Sequence, residues 1–139
     1  MRITRAERLR GRDEIHRVFE AGFSARRGRV IARFVFAEER PEPLRFGVAT
    51  SRKISSAVVR NRCKRWMREA VRMNKIECVE RLRADRRSAD VMFVWIDPAV
   101  TAAMNMLADV SHSVCDLLAT IAAAPVSHEA PSDRAAQAL

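Results

Sequence analysis

Apolar side chains recur along this 139-residue chain with two different periods, and the changes of period mark out its elements. Residues 12–20 place Ile15, Val18 and Phe19 three and four apart, which predicts a short helix closed at Gly22 by a left-handed cap. Residues 23–29 read as a Ser/Gly/Arg loop carrying Arg26, Arg27 and Arg29, and residues 30–36 as a β-rich strand interrupted on one face by Arg33. Pro41 and Pro43 lie in the connection 38–45 between antiparallel strands, and residues 46–50 form the returning strand. From Ala57 a second helix puts Val59, Cys63, Trp66, Met67 and Ala70 on one face, with Ser55 or Ser56 as its cap. Residues 74–90 are charged and mixed in sign, a solvated connection with room for a short helical segment at 76–82. The run Val-Met-Phe-Val-Trp-Ile at 91–96 is a strand covered on both faces, ended by Asp97-Pro98. Residues 101–124 form a long helix whose stripe is Met104, Leu107, Val110, Val114, Leu117, Leu118 and Ile121. One domain, residues 1–124, follows from this length and pattern, with one sheet covered by helices. It begins with a basic arm, 1–11, whose Arg2, Arg5, Arg8 and Arg10 reach along an anion, and ends before a disordered Ala/Pro/Ser-rich tail at 125–139.

Charge changes this picture most between Arg52 and Arg72, which hold eight of the 26 basic residues and only one of the 17 acidic ones. Opposite the apolar face of the second helix, Arg60, Lys64, Arg68 and Arg72 form one row, with Asn61 and Arg65 beside it. Like charges at i,i+4 cost an isolated helix roughly 0.2–0.5 kcal/mol per pair, a cost that a bound polyanion removes. Asn61 is a weak helix former placed between two guanidinium groups, where its amide suits a sugar or base edge. A sequence pI near 11 points to phosphate-bearing partners, with a membrane surface as the competing reading. No apolar run approaches the roughly 20 residues that span a bilayer, and the first residues are charged, so the chain is expected in the cytoplasm. Cys63, Cys78 and Cys115 are odd in number and widely spaced, which predicts reduced thiols.

The chemistry of a protein nuclease is missing from the pattern. His16, His112 and His128 are isolated, no ligand spacing for a metal occurs, Glu38-Glu39 is a loop pair, and the four glycines form no phosphate loop. No residue is therefore assigned a catalytic or metal-binding role.

The segments Arg45-Phe46-Gly47-Val48, Ser51-Arg52-Lys53-Ile54, Ala57-Val58-Val59-Arg60-Asn61-Arg62-Cys63-Lys64-Arg65 and Arg68-Glu69 closely resemble the protein component of bacterial ribonuclease P. The resemblance extends to Ile15-His16-Arg17-Val18-Phe19 with Gly22, to the strand at 91–96 and to the last helix. It implies an α/β fold, an α+β two-layer sandwich in the order αβββαβα. That fold has one mixed four-stranded sheet covered by helices and a left-handed βαβ crossover carrying the basic helix, against the usual hand. It implies an endonuclease subunit that helps remove the 5′ leader of precursor tRNA, while an RNA subunit carries catalysis on its own magnesium. Carried over residue by residue, Arg60, Asn61, Arg62, Lys64, Arg65, Arg68 and Arg72 bind that RNA, and Ile15, Phe19, Arg33, Arg52 and Lys53 line a cleft for the leader. The chain departs from the family pattern at Ile15, where an aromatic is frequent, at Ser55-Ser56 in place of Gly-Asn, and at Ile96-Asp97, where a basic residue is usual. Two other classes explain the charge, a structural RNA-binding protein outside any enzyme and a helix-turn-helix DNA binder. The latter is disfavoured because no short turn joins a second helix to the basic one.

Overall fold

The computed structural model describes residues 3–125; Met1, Arg2 and most of the expected tail, 126–139, lie outside the described residues. Its elements are α1 (Arg12–Ala21), β1 (Phe23–Arg27), β2 (Val30–Glu38), β3 (Leu44–Thr50), α2 (Ala57–Ala84), β4 (Arg87–Trp95) and α3 (Leu107–Ala123). The strands form one mixed sheet in the order β1-β2-β4-β3, antiparallel except for the parallel pair β3/β4, which α2 connects. This is the expected α+β architecture in the expected αβββαβα order.

Alternation along each strand sorts side chains onto two faces. Phe23, Phe34, Val91 and Phe46 are register partners in one row, and with Phe93 and Trp95 they meet the buried stripes of α2 and α3 in the main core. The next row, Ser24, Arg33, Met92 and Gly47, points to the opposite face, which α1 partly covers through a smaller cluster of Leu9, Val18, Val35 and Met92. That face is the one left accessible beside α1.

Five features differ from the sequence reading. Residues 23–27 are a strand: Phe23 packs on Phe34 and Phe36, and the chain reverses through a turn in which Gly28 has φ +56°. Gly22 is extended, at φ −79°, so it is no left-handed cap; a Cβ there would lie 2.2 Å from the Val18 carbonyl oxygen. The helix α2 runs on through residues expected to form a connection, because Val71, Lys75, Cys78 and Leu82 continue its inward stripe and the Lys75 ammonium meets Glu7. Strand β4 likewise begins four residues early, since the charged Arg87 and Asp90 are buried with partners. The last helix starts at Leu107 rather than 101, leaving Met104 exposed ahead of it.

Candidate nucleic-acid interface

The helix α2 is launched by a turn that also places its first cations. The Ser51 amide donates to the Trp95 carbonyl at 2.7 Å, Ile54 is buried, and the Ser56 hydroxyl, of the two serines considered, caps the helix by accepting from the Val59 amide. Arg60 folds back over this turn, its Nη1 donating to the carbonyls of Ile54 and Ser55 at 2.8 Å each. Both acceptors are neutral, so its positive charge stays uncompensated. Farther along, Asn61, Arg65 and Arg68 are exposed and Lys64 is half-buried. Among the described residues, no carboxylate forms an ion pair with Arg60, Lys64, Arg65 or Arg68.

Two residues of the expected RNA-binding set are differently engaged. Arg62 lies over the Trp66 ring, 5.3 Å from its centroid, and donates to the Ala102 carbonyl at 2.7 Å, which ties α2 to the segment before α3. Arg72 pairs with Glu69 and holds that carboxyl below its ordinary range, so its charge is largely spent within the helix. Several other cations are structural. Arg40 and Arg45 converge on Asp90, Arg29 bridges Asp97 and Asp109, and Arg87 lies over the Phe36 ring. Arg45, part of the motif run, belongs to this internal set.

The free cations of α2 look onto the outer edge of β3, the terminal strand of the sheet. A groove of about 370 Å³ is lined by Ala49, Thr50, Ser51, Arg52, Arg60 and Lys64. A second, of about 450 Å³, includes Arg8, Arg10, Ile15, Gly47, Arg68 and Met92. Between them the two grooves run along β3 from Phe46 to Thr50, with guanidinium and ammonium groups beside apolar side chains.

The expected cleft residues divide between these surfaces. Ile15 and Phe19 are one turn apart on α1, and Phe19 is 38% exposed, unusual for a phenylalanine. Arg33 reaches from β2 to the Phe19 carbonyl, while its Nε is buried without a partner. Gly47 keeps the floor open, because a Cβ there would sit 2.7 Å from Met92 Sδ. Arg52 lines the first groove and Lys53 is exposed beside it.

The arm is better ordered than its sequence suggests. Leu9 is buried and its amide donates to the Phe46 carbonyl at 2.8 Å, pairing the arm with β3. The signal was a lone leucine between arginines followed by glycine; Gly11 has φ +91° where the arm turns into α1. Burial alone would raise the Glu7 carboxyl, but hydrogen bonding to Lys75 and Thr4 together with the Lys75 charge holds it below its ordinary 4.5.

Burial pushes the Cys63 and Cys78 thiols up to about 11 and about 12, so both are inert packing groups near neutrality. No three His, Cys, Asp or Glu side chains among the described residues are grouped to hold a metal ion, and no described helix is long and apolar enough to cross a membrane.

Residues 3–115 match the family model described as Ribonuclease P. The ribonuclease P protein component of Bacillus velezensis is 37% identical over 73 residues, which are 52% of this chain and 62% of that protein. Its counterpart from Symbiobacterium thermophilum is 43% identical over 72 residues, 51% of this chain and 61% of the relative. The matched region thus spans about three fifths of the length of these curated relatives. Among solved structures, the RNase P protein of Staphylococcus aureus covers 86% of this chain and 97% of its own, with TM-score 0.61 and 21% identity. That of Thermotoga maritima covers 81% and 94%, with TM-score 0.61 and 24% identity. At such identities the structures speak to the fold, while the match over residues 3–115 speaks to descent: the chain belongs to the ribonuclease P protein family.

Proposed function

We propose that this chain is the protein subunit of ribonuclease P, a cytoplasmic ribonucleoprotein that removes the 5′ leader of precursor tRNA. The observation that carries the reading is the set of uncompensated cations Arg60, Lys64, Arg65 and Arg68 on one face of α2, beside grooves along β3. Counterion release by such a row gives affinity for a ribose-phosphate chain without sequence preference. In this reading Asn61 and Arg62 accompany those cations against the RNA subunit, with Arg72 a lesser contributor because Glu69 holds it. The RNA subunit binds the magnesium ions and breaks the phosphodiester bond. The protein's residues orient and hold.

The leader lies across the face beside α1, with Phe19 as the stacking platform, Ile15 as apolar floor, and Arg33, Arg52 and Lys53 near the phosphates. Base stacking on an aromatic side chain contributes roughly 1–3 kcal/mol. Ile15 offers contact without stacking, which leaves Phe19 as the main determinant.

The test is the affinity of the assembled ribonucleoprotein for precursor tRNA against the same tRNA without its leader. The precursor is expected to bind more tightly, and Phe19→Ala to reduce that preference by roughly tenfold while leaving the leaderless tRNA unaffected. Equal affinity of the wild-type complex for both RNAs would overturn the assignment.

A further inference from the structure

The arm does not behave as a solvated tail. The arm begins with a single 3-10 turn, Arg5–Glu7, and becomes extended at Arg8, with Glu7 half-buried, Leu9 buried and Arg8 and Arg10 exposed. Two contacts with the body of the protein fix it, and one within the arm shapes it. The Thr4 amide donates to Glu7 Oε1 at 3.0 Å, Glu7 Oε2 meets Lys75 Nζ at 2.5 Å, and the Leu9 amide binds the Phe46 carbonyl. The Glu7–Lys75 pair is enclosed, the two side chains being 14% and 6% exposed. The arginines between and beyond these anchors make no side-chain hydrogen bond or ion pair among the described residues, yet both line the 450 Å³ groove shared with Arg68.

We propose that the segment 4–10 is a latched strap. Glu7–Lys75 and Leu9 hold Arg8 and Arg10 across the groove from Arg68, and the three cations form a subsite for one phosphodiester of a single-stranded RNA. The idea rests on the RNA-binding role proposed above and adds a binding element and a positioning element to it. Charge complementarity selects the occupant: three unneutralised cations ring a floor that includes Leu9, Ile15 and Met92, which suits a chain carrying both phosphate and base.

The strap makes an expectation that simple electrostatics reverses. Glu7→Gln raises the net charge by one, which on charge alone strengthens RNA binding. If Glu7 works by holding the arm, the same substitution weakens it, because the two arginine side chains must then be ordered on binding. The experiment measures binding of a labelled single-stranded oligoribonucleotide to the full chain over a salt series. It uses the wild type, Glu7→Gln, the double variant Arg8→Ala/Arg10→Ala, and Glu39→Gln as an exposed, unpaired charge control. Glu7→Gln is expected to bind roughly two- to tenfold more weakly than wild type, whereas Glu39→Gln binds equally or more tightly. The double arginine variant is expected to lower the salt slope by about 0.7, one single-strand phosphate contact.

The strap is overturned if Glu7→Gln, folded, binds as Glu39→Gln does, or if the double arginine variant keeps the wild-type slope. Because Arg8 and Arg10 hold nothing inside the protein, that variant decides the question even where the latch variant fails to fold. Unchanged variants with a wild type that binds would remove the strap alone. A wild type that binds no oligoribonucleotide would remove the proposed function with it.

Discussion

Replacing Lys64, Arg65 and Arg68 together with alanine is expected to cut affinity for the RNA subunit proposed as its partner roughly a hundredfold at about 0.1 M salt, and to lower the slope of log K against log salt by about 2–3. The magnitude follows from three phosphate contacts, each releasing about 0.7–0.9 of a counterion. Stability is expected to move the other way. Lys64 stands at i,i+4 from both Arg60 and Arg68, so its removal relieves two repulsive pairs of roughly 0.2–0.5 kcal/mol each, and alanine is the stronger helix former. Binding isotherms over a salt series and a thermal melt read both quantities on one preparation. A variant that lost binding and also melted early would mean that these side chains support the fold instead.

Asp90→Ala is expected to do the opposite, destabilising the protein by about 2–3 kcal/mol with little change in the salt slope of the folded population. Asp90 accepts 3.0 Å hydrogen bonds from Nε and Nη2 of Arg45 and one from Arg40 Nη2, and its side chain is only 4% exposed. Removing it strands two guanidinium groups. Breaking a fully buried pair costs about 3–5 kcal/mol, and the lower figure applies because Arg40 and Arg45 reach solvent, their side chains being 19% and 24% exposed. Urea unfolding checks the expectation: the midpoint falls while the m-value holds. Asp116→Ala, beside His112 on the exposed face of α3, serves as the control and should stay within about 0.5 kcal/mol. Together the two variants separate cations that build the protein from cations offered outward.

That separation marks what the sequence could and could not disclose. Apolar periodicity located the first half of α2, α3 and the covered strand at 91–96, since Val59, Cys63, Trp66, Met67, Val110, Val114 and Leu117 are all buried as their spacing required. It failed wherever a charged residue occupied an inward position. Lys75 stands in the core stripe of α2, and Arg87 and Asp90 in that of β4, each made tolerable by a partner distant in sequence: Glu7, Ala122, or Arg40 with Arg45. Periodicity carries no record of such partners. For the same reason β1 went unread as a strand, because an edge strand of small and basic residues lacks alternation until Phe23 finds Phe34 and Phe36. The basic face of α2 was legible as a surface, while the pairing of Arg72 with Glu69 and the stacking of Arg62 on Trp66 were not. Recruitment of Arg8 and Arg10 to the same groove required coordinates.

The central claim is that this chain supplies a binding surface to an RNA that performs the cleavage. Its most direct test is a precursor-tRNA cleavage assay with the protein alone, the catalytic RNA alone, and both together, at a magnesium concentration where the RNA alone is nearly idle. The account predicts correct 5′ cleavage only in the combined reaction. Cleavage by the protein alone, or no stimulation of the RNA by the protein, would contradict it.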